Sequence, residues 1–375
     1  MAIEGTVATG FEAAREQFAA NFAREGDYKE VGASFAAYHR GRKVVDLWGG
    51  HADAAKTRPW TRDTLGNVWS ATKGIVAIAV AKCVEQGRLR YDDTVASVWP
   101  EFAANGKAKI TIAQLMSHQA GLNGFAEPTT LADFEDWVGC CAKLARQAPA
   151  WPPGEASSYH AMTYGWLAGE LVRRASGKSV GRFVRDEIAR PLDAQFHIGL
   201  PETEEANVAQ MLPPTRLIDM AAIPLPPVAK LAVTNPTIDP NVVHSRAWRA
   251  AEIPGGNGQA SAHGLARIYA GVLGHEILKA ETVAVMTTAQ TVGRTDMFLG
   301  FTDNWALGIS LNTPGIYGPN KRAFGFSGWV GSFGCADPDA DVAIGYVCNQ
   351  MGPELVGDPR TKGLCQAVLE SAAKV

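Results

Sequence analysis

The chain has 375 residues, 46% of them hydrophobic, enough for one large or two medium domains with a substantial core. Its 35 basic and 38 acidic residues leave a net charge of -3 and form no block of one sign, which argues against nucleic acid or an anionic membrane surface as partner. The six cysteines (Cys83, Cys140, Cys141, Cys335, Cys348 and Cys365) show no CxxC or Cys/His metal spacing and read as buried thiols of a reducing compartment.

The opening stretch, MAIEGTVATGFEAAREQFAANF, carries acids and breaks its apolar positions at helical intervals. It resembles neither a signal peptide nor a membrane span, so a soluble cytoplasmic protein is expected, with an amphipathic helix over residues 8–24. VGASFAAYHRGRKVVDLWGG places two strand-like runs around His39, Arg40, Gly41 and Arg42, a hairpin signal. In WSATKGI, residues 69–75, a serine and a lysine stand three apart, and the apolar positions from Lys73 to Glu85 extend around much of a helix that stops at Gly87. Such a helix is buried on most sides.

Between about 90 and 260 the chain is rich in helices, prolines and loops: YGWLAGELVRRASG, SVGRFVRDEIARP, IPLPPVAKLAVTNPTIDP. After SAHGLARIYAGVLG, strand signals return in WALGISL, then in SFGCADP and DVAIGYVCNQ around a Pro-Asp-Ala-Asp turn, before a last helix over about 360–373. The expected fold class is α/β (α+β): an antiparallel sheet built from both termini, flanked by helices. Residues 1–90 and 260–375 would form one discontinuous domain and 91–259 an inserted, mostly helical one, with the active site between them.

The Ser-x-x-Lys spacing is weak on its own, because it recurs at Ser371 and Lys374. Ser70 differs in context. A serine at the mouth of a helix lies near free N–H groups, and a lysine one turn on shares its face. Burial would favour the neutral form of Lys73; at the reference pKa of about 10.4 only roughly one lysine in 2,500 is neutral at pH 7. The competing reading makes Ser70 a helix cap and Lys73 a solvated side chain.

WSATKG, PPGEASSYHAMTYGWLAGELVRRASGKS and FGFSGWVGSFGCADPDADVAIGYVCNQ resemble, in order and spacing, the three boxes of the serine β-lactamase and penicillin-binding-protein superfamily. Within it the chain is most similar to the family VIII carboxylesterases, over about residues 30–350, including LMSHQAGL and EIPGGNGQASAHGLARIYA. The resemblance implies Ser70 as the acylated nucleophile, Lys73 as its proton acceptor and Tyr159 as the second-box tyrosine that relays the proton. Whether Lys73 or Tyr159 is the formal base stays open, and without the resemblance Tyr164 is an equal candidate. It also implies that Phe326, Ser327 and Gly328 form an edge strand beside the nucleophile, with the backbone N–H groups of Ser70 and Trp329 as the oxyanion hole. Glycines at 325, 328 and 331 would permit close backbone approach.

Two positions depart from the lactam-hydrolysing members. Ala161 replaces the asparagine of the second box, and Phe326 replaces the cation that pairs with a substrate carboxylate. A carboxylate brought there loses a charge-assisted hydrogen bond of about 1.5 to 3 kcal/mol, so short to medium neutral acyl esters are expected. Lys321 and Arg322 keep an anionic substrate open. The alternatives are a β-lactamase, D-aminopeptidase or amide hydrolase, an acyltransferase, and a non-catalytic penicillin-binding-like module. Trp69, Phe125, Trp151, His160, Phe326, Ser327 and Gly328 are the candidate substrate-binding residues, His118 is expected to hold a turn, and no Ser/His/Asp triad is marked. HExxH, P-loop and GxGxxG patterns are absent, so no metal or cofactor is expected, and the sequence does not decide between monomer and homo-oligomer.

Overall fold

The computed structural model describes residues 2–216, 222 and 224–375; residue 223, where the proline-heavy stretch starts, lies outside them. The helix expected over 8–24 is α1, Glu12–Phe22. Before it runs a strand that the apolar pattern did not announce, β1, Ile3–Val7. At its centre Gly5 takes φ 100°, and a Cβ there would lie 1.9 Å from the Asp46 carbonyl oxygen, so only glycine fits.

The expected hairpin is present as β2, Gly32–His39, and β3, Arg42–Gly50. Arg40 and Gly41 both have positive φ, 50° and 71°, in the two-residue turn whose twist matches the flanking strands. A small sheet then joins β4, Gly66–Asn67, β5, Phe196–His197, and β6, Gln259–Ala260, in the order β4-β6-β5, so the middle of the chain is tied to the segment just before WSATKGI.

Four more strands come late in the chain: β7, Ser310–Leu311, β8, Phe324–Ser327, β9, Phe333–Asp337, and β10, Val342–Cys348. With the first three they make one antiparallel sheet, β1-β3-β2-β10-β9-β8-β7. The run WALGISL thus yields only a two-residue strand, since Gly308 bends at φ 92° and Trp305 bridges back to Ser310. Strand β8 is not the outermost strand, yet β7 pairs only with Phe324 and Gly325 and leaves Phe326 and Ser327 at the edge.

The unbroken apolar run of β10 reflects burial on both faces. An added Cβ on Gly345 would meet the helix Ala262–Leu273, while Tyr346, on the other face, bonds Glu30, which pairs with Arg360 of the helix Pro359–Ala372. Helix α2, Ala71–Glu85, has twelve of its fifteen residues buried, packs against β8 and the helix Thr163–Ser176, and ends at Gly87, φ 71°. Its all-round apolar sequence is therefore a burial signal. All six cysteines are free and buried, and among the described residues no helix is long and apolar enough to cross a membrane.

Candidate active site

The segment before α2 turns sharply. Trp69 sits at φ 45°, a conformation that a bulky residue keeps only when its surroundings enforce it. Ser70 follows with helical backbone and makes no side-chain cap bond, so the cap reading fails. Its Oγ lies 2.8 Å from Lys73 Nζ and accepts from the Tyr159 hydroxyl at 2.6 Å.

Lys73 is fully buried. Its Nζ donates to the Gly255 carbonyl at 2.5 Å and stands 5.0 Å from the centre of the Tyr159 ring. Burial alone holds its pKa well below the ordinary lysine range, and no carboxylate among the described residues opposes it. The amine is thus poised to accept a proton.

Tyr159, not Tyr164, meets the serine. Tyr164 is buried with its hydroxyl against Met116 Sδ, 4.0 Å away. Tyr159 is fixed from two sides: its backbone N–H donates to Asp296 Oδ1 at 3.1 Å, and its ring stacks on Trp305, 5.6 Å away at an interplanar angle of 7°. Trp305 Nε1 in turn donates to Asp296 Oδ2 at 3.0 Å. Burial raises the Tyr159 pKa, the Ser70 bond opposes that, and Asp296 and Asp303 reinforce it, so the phenol is held protonated.

Strand β8 completes the cleft. Phe326 packs near Tyr159 and Trp305, with centroids at 6.3 and 5.8 Å, and Ser327 and Trp329 line the cavity in front of Ser70. At Gly328 a Cβ would lie 2.1 Å from the Val68 carbonyl oxygen; only glycine lets this strand end approach the nucleophile turn. The Gly328 N–H is taken by Ser332 O at 2.7 Å, whereas the N–H groups of Ser70 and Trp329 have no hydrogen-bond partner among the described residues. The cavity is narrow, with about 50 Å³ open to the centre of a water molecule.

Several expected contacts are corrected. Phe125 is core, its ring against Phe134 and Trp166. His160 is fully buried; its Nε2 accepts from Leu122 N at 3.2 Å and its Nδ1 bonds Ser158 O at 2.7 Å, so it cannot reach a substrate. Burial lowers its pKa to about 4 and keeps it neutral. Trp151 ties its indole to Ala156 O and packs on His160, and Trp69 packs between Trp248 and Trp329; neither lines the cavity. Arg322 pairs with Asp339, and neither it nor Lys321 lines the cavity, which removes the reason for an anionic substrate. His118 behaves as expected: at φ 61° its Nδ1 accepts from His160 N at 3.1 Å. The second Ser-x-x-Lys pair stays apart, with Ser371 buried in its helix and Lys374 exposed.

Asp296, Asp303, Trp305, Ser310 and Tyr317 were not singled out from the sequence. Asp296, Asp303 and Tyr317 lie outside any periodic run, where an acid at 296 or 303 looks like any loop acid, and Trp305 and Ser310 fall in WALGISL, which carries only a strand signal.

A family profile described as Beta-lactamase matches residues 14–365. The chain is 34% identical to the Esterase/beta-lactamase LipL of Mycobacterium tuberculosis over 344 residues, 87% of this chain and 78% of that one. Among solved structures, a family VIII carboxylesterase superposes with a TM-score of 0.92 at 42% identity, covering 99% of this chain and 100% of the other. A penicillin-binding protein homologue from Caulobacter crescentus gives 0.90 at 40% identity, with 99% and 100% covered.

Proposed function

The chain belongs to the beta-lactamase family, and on that premise we propose that it is a serine hydrolase cleaving carboxylic esters through an acyl-enzyme on Ser70. The observation that carries the reading is the Ser70 oxygen held between Lys73 Nζ and the Tyr159 hydroxyl, with Lys73 buried and, among the described residues, paired to no acid. Ser70 transfers its proton to Lys73 as Oγ attacks the ester carbonyl. The oxyanion is received by the free N–H groups of Ser70 and Trp329, an arrangement in which each donor is worth on the order of 3 kcal/mol. Tyr159 then passes a proton to the departing alkoxide and recovers one from Lys73. A water attacks the acyl-enzyme by the same path in reverse.

Lys73 is assigned as the base because burial keeps Tyr159 protonated while it drives Lys73 toward its neutral form. The ester preference rests on Ala161 and Phe326, and on a cavity without a lysine or arginine. The narrowness of the cavity favours short acyl groups. The esterases among the similar proteins agree with the assignment. The site would lie between a sheet domain of residues 1–90 and 260–375 and a helical domain of 91–259.

A screen of p-nitrophenyl esters on wild type and Ser70→Ala, with intact mass after fluorophosphonate treatment, tests the reading. Turnover surviving in the variant, an adduct elsewhere, or nitrocefin hydrolysed faster than p-nitrophenyl butyrate would overturn it.

A further inference from the structure

Asp303 lines the cavity in front of Ser70, yet the acyl-transfer steps give it no task. It is only 3% exposed. Among the described residues its side chain has one hydrogen-bond partner, Ser310 Oγ, at 3.3 and 3.4 Å, and no lysine, arginine or histidine acts on it.

Asp296, on the same stretch, shows what a structural acid looks like here. Its carboxylate accepts from Tyr159 N, Phe298 N, Leu299 N and Trp305 Nε1, all at 3.0 or 3.1 Å, and it is fully occupied. Asp303 has almost none of this support. A buried carboxylate without donors is costly, so its vacant acceptors favour a ligand that brings donors with it. The walls around it are aromatic: Tyr159, Trp305, Tyr317, Phe326 and Trp329 line the same cavity. Aromatic faces attract cations and do nothing for carboxylates.

We propose that Asp303, with the rings of Trp305 and Phe326, forms a subsite for a protonated amine on the substrate. The favoured substrates are then esters that carry an ammonium group a few bonds from the scissile carbonyl, and esters that carry a carboxylate there are rejected. This deepens the ester-hydrolase reading and rests on it. Burial, and then the neighbouring Asp296, push the Asp303 carboxyl up to about 7, while Ser310 opposes; the phenols of Tyr159 and Tyr317 face it, and Lys73 Nζ stands 5.0 Å from the Tyr159 ring and 6.0 Å from the Phe326 ring. An arriving ammonium favours the ionised form of Asp303.

The test compares kcat/KM for methyl 3-aminopropanoate, methyl butanoate and monomethyl succinate in a pH-stat. The first two differ only by ammonium against methyl. Wild type should prefer the amine by about tenfold or more at pH 8 and handle the succinate worst, and Asp303→Asn should bring the first two within about threefold of each other. A wild-type preference for butanoate, or a preference for the amine that Asp303→Asn leaves intact, would overturn the subsite. Should Asp303→Asn fail to fold, the wild-type ratio is read between pH 6 and 8, where the amine stays protonated. A several-fold rise as Asp303 ionises supports the subsite, and a flat ratio rejects it. p-Nitrophenyl acetate is run alongside: its turnover without amine preference sinks only the subsite, whereas no turnover of any of the four esters sinks the hydrolase reading and the subsite with it.

Discussion

Ser70 and Lys73 have the same spacing as Ser371 and Lys374 and share nothing else. The first pair opens a helix buried nearly all round, where the lysine is fully buried with no acid beside it among the described residues, and where a tyrosine from the second box reaches the same oxygen. The second closes a helix at the surface, with its serine buried inside and its lysine exposed. One turn of helix brings two side chains to one face; the environment decides whether they react.

The sharpest way to break this comparison is to alanine-substitute both serines. Ser70→Ala should lower kcat on p-nitrophenyl butyrate by about 10⁴-fold or more, as loss of a nucleophile does, while Ser371→Ala should stay within about twofold of wild type and cost no more than ~1 kcal/mol of stability in urea.

Next in size is Lys73. Replacing it with arginine puts a permanent charge where wild type holds an amine that can be neutral, so activity should fall about 10³-fold. Replacing it with methionine should be as inactive and yet more stable at pH 7. The sign follows from the lowered pKa: between the folded and unfolded values the unfolded chain binds the extra proton, so wild-type stability rises with pH up to about 10.4. The gain in Tm of Lys73→Met over wild type should therefore shrink between pH 7 and pH 10. A pH-independent gain would mean that Lys73 is charged in the folded protein. For the same reason, wild-type kcat/KM should fall as the pH drops below the depressed Lys73 value.

Tyr159→Phe keeps the stack on Trp305 and removes only the hydroxyl, so a loss of about 10²-fold in kcat with little change in Tm is expected. The smallest effect is Asp296→Asn, which keeps shape and one acceptor but turns the other toward donation. About 1 to 3 kcal/mol of stability should be lost, with kcat falling because the Trp305 indole loses its acceptor and no longer fixes the Tyr159 ring stacked on it.

Much of this was legible beforehand, and for identifiable reasons. The turn at Arg40 and Gly41, the all-round apolar run of α2 and the Pro-Asp-Ala-Asp turn each carry their own local signal, and together they placed the sheet at both ends of the chain. Ser70, Lys73 and Tyr159 were legible through their boxes. Phe125 and His160 were misplaced because an aromatic near a motif in sequence need not face the cleft; the backbone groups of Leu122 and Ser158 claim both nitrogens of His160. Asp296, Asp303 and Trp305 were invisible because their roles arise from contacts with Tyr159 and Ser310, which no period or spacing encodes. β1 was missed because a glycine at its centre removes the alternation.

The central position of β10, between β2 and β9, has a consequence for the order in which the molecule is made. During synthesis the β2–β3 hairpin must wait, its inner edge unpaired, until residues 342–348 have left the ribosome. Strand β8 cannot be held in place beside Ser70 before then. At a synthesis rate of roughly 5–20 residues per second, the nascent chain spends on the order of tens of seconds with an open edge strand and no reactive serine. A chain that stops short of residue 348 therefore carries WSATKGI without the strand order that sets β8 beside it.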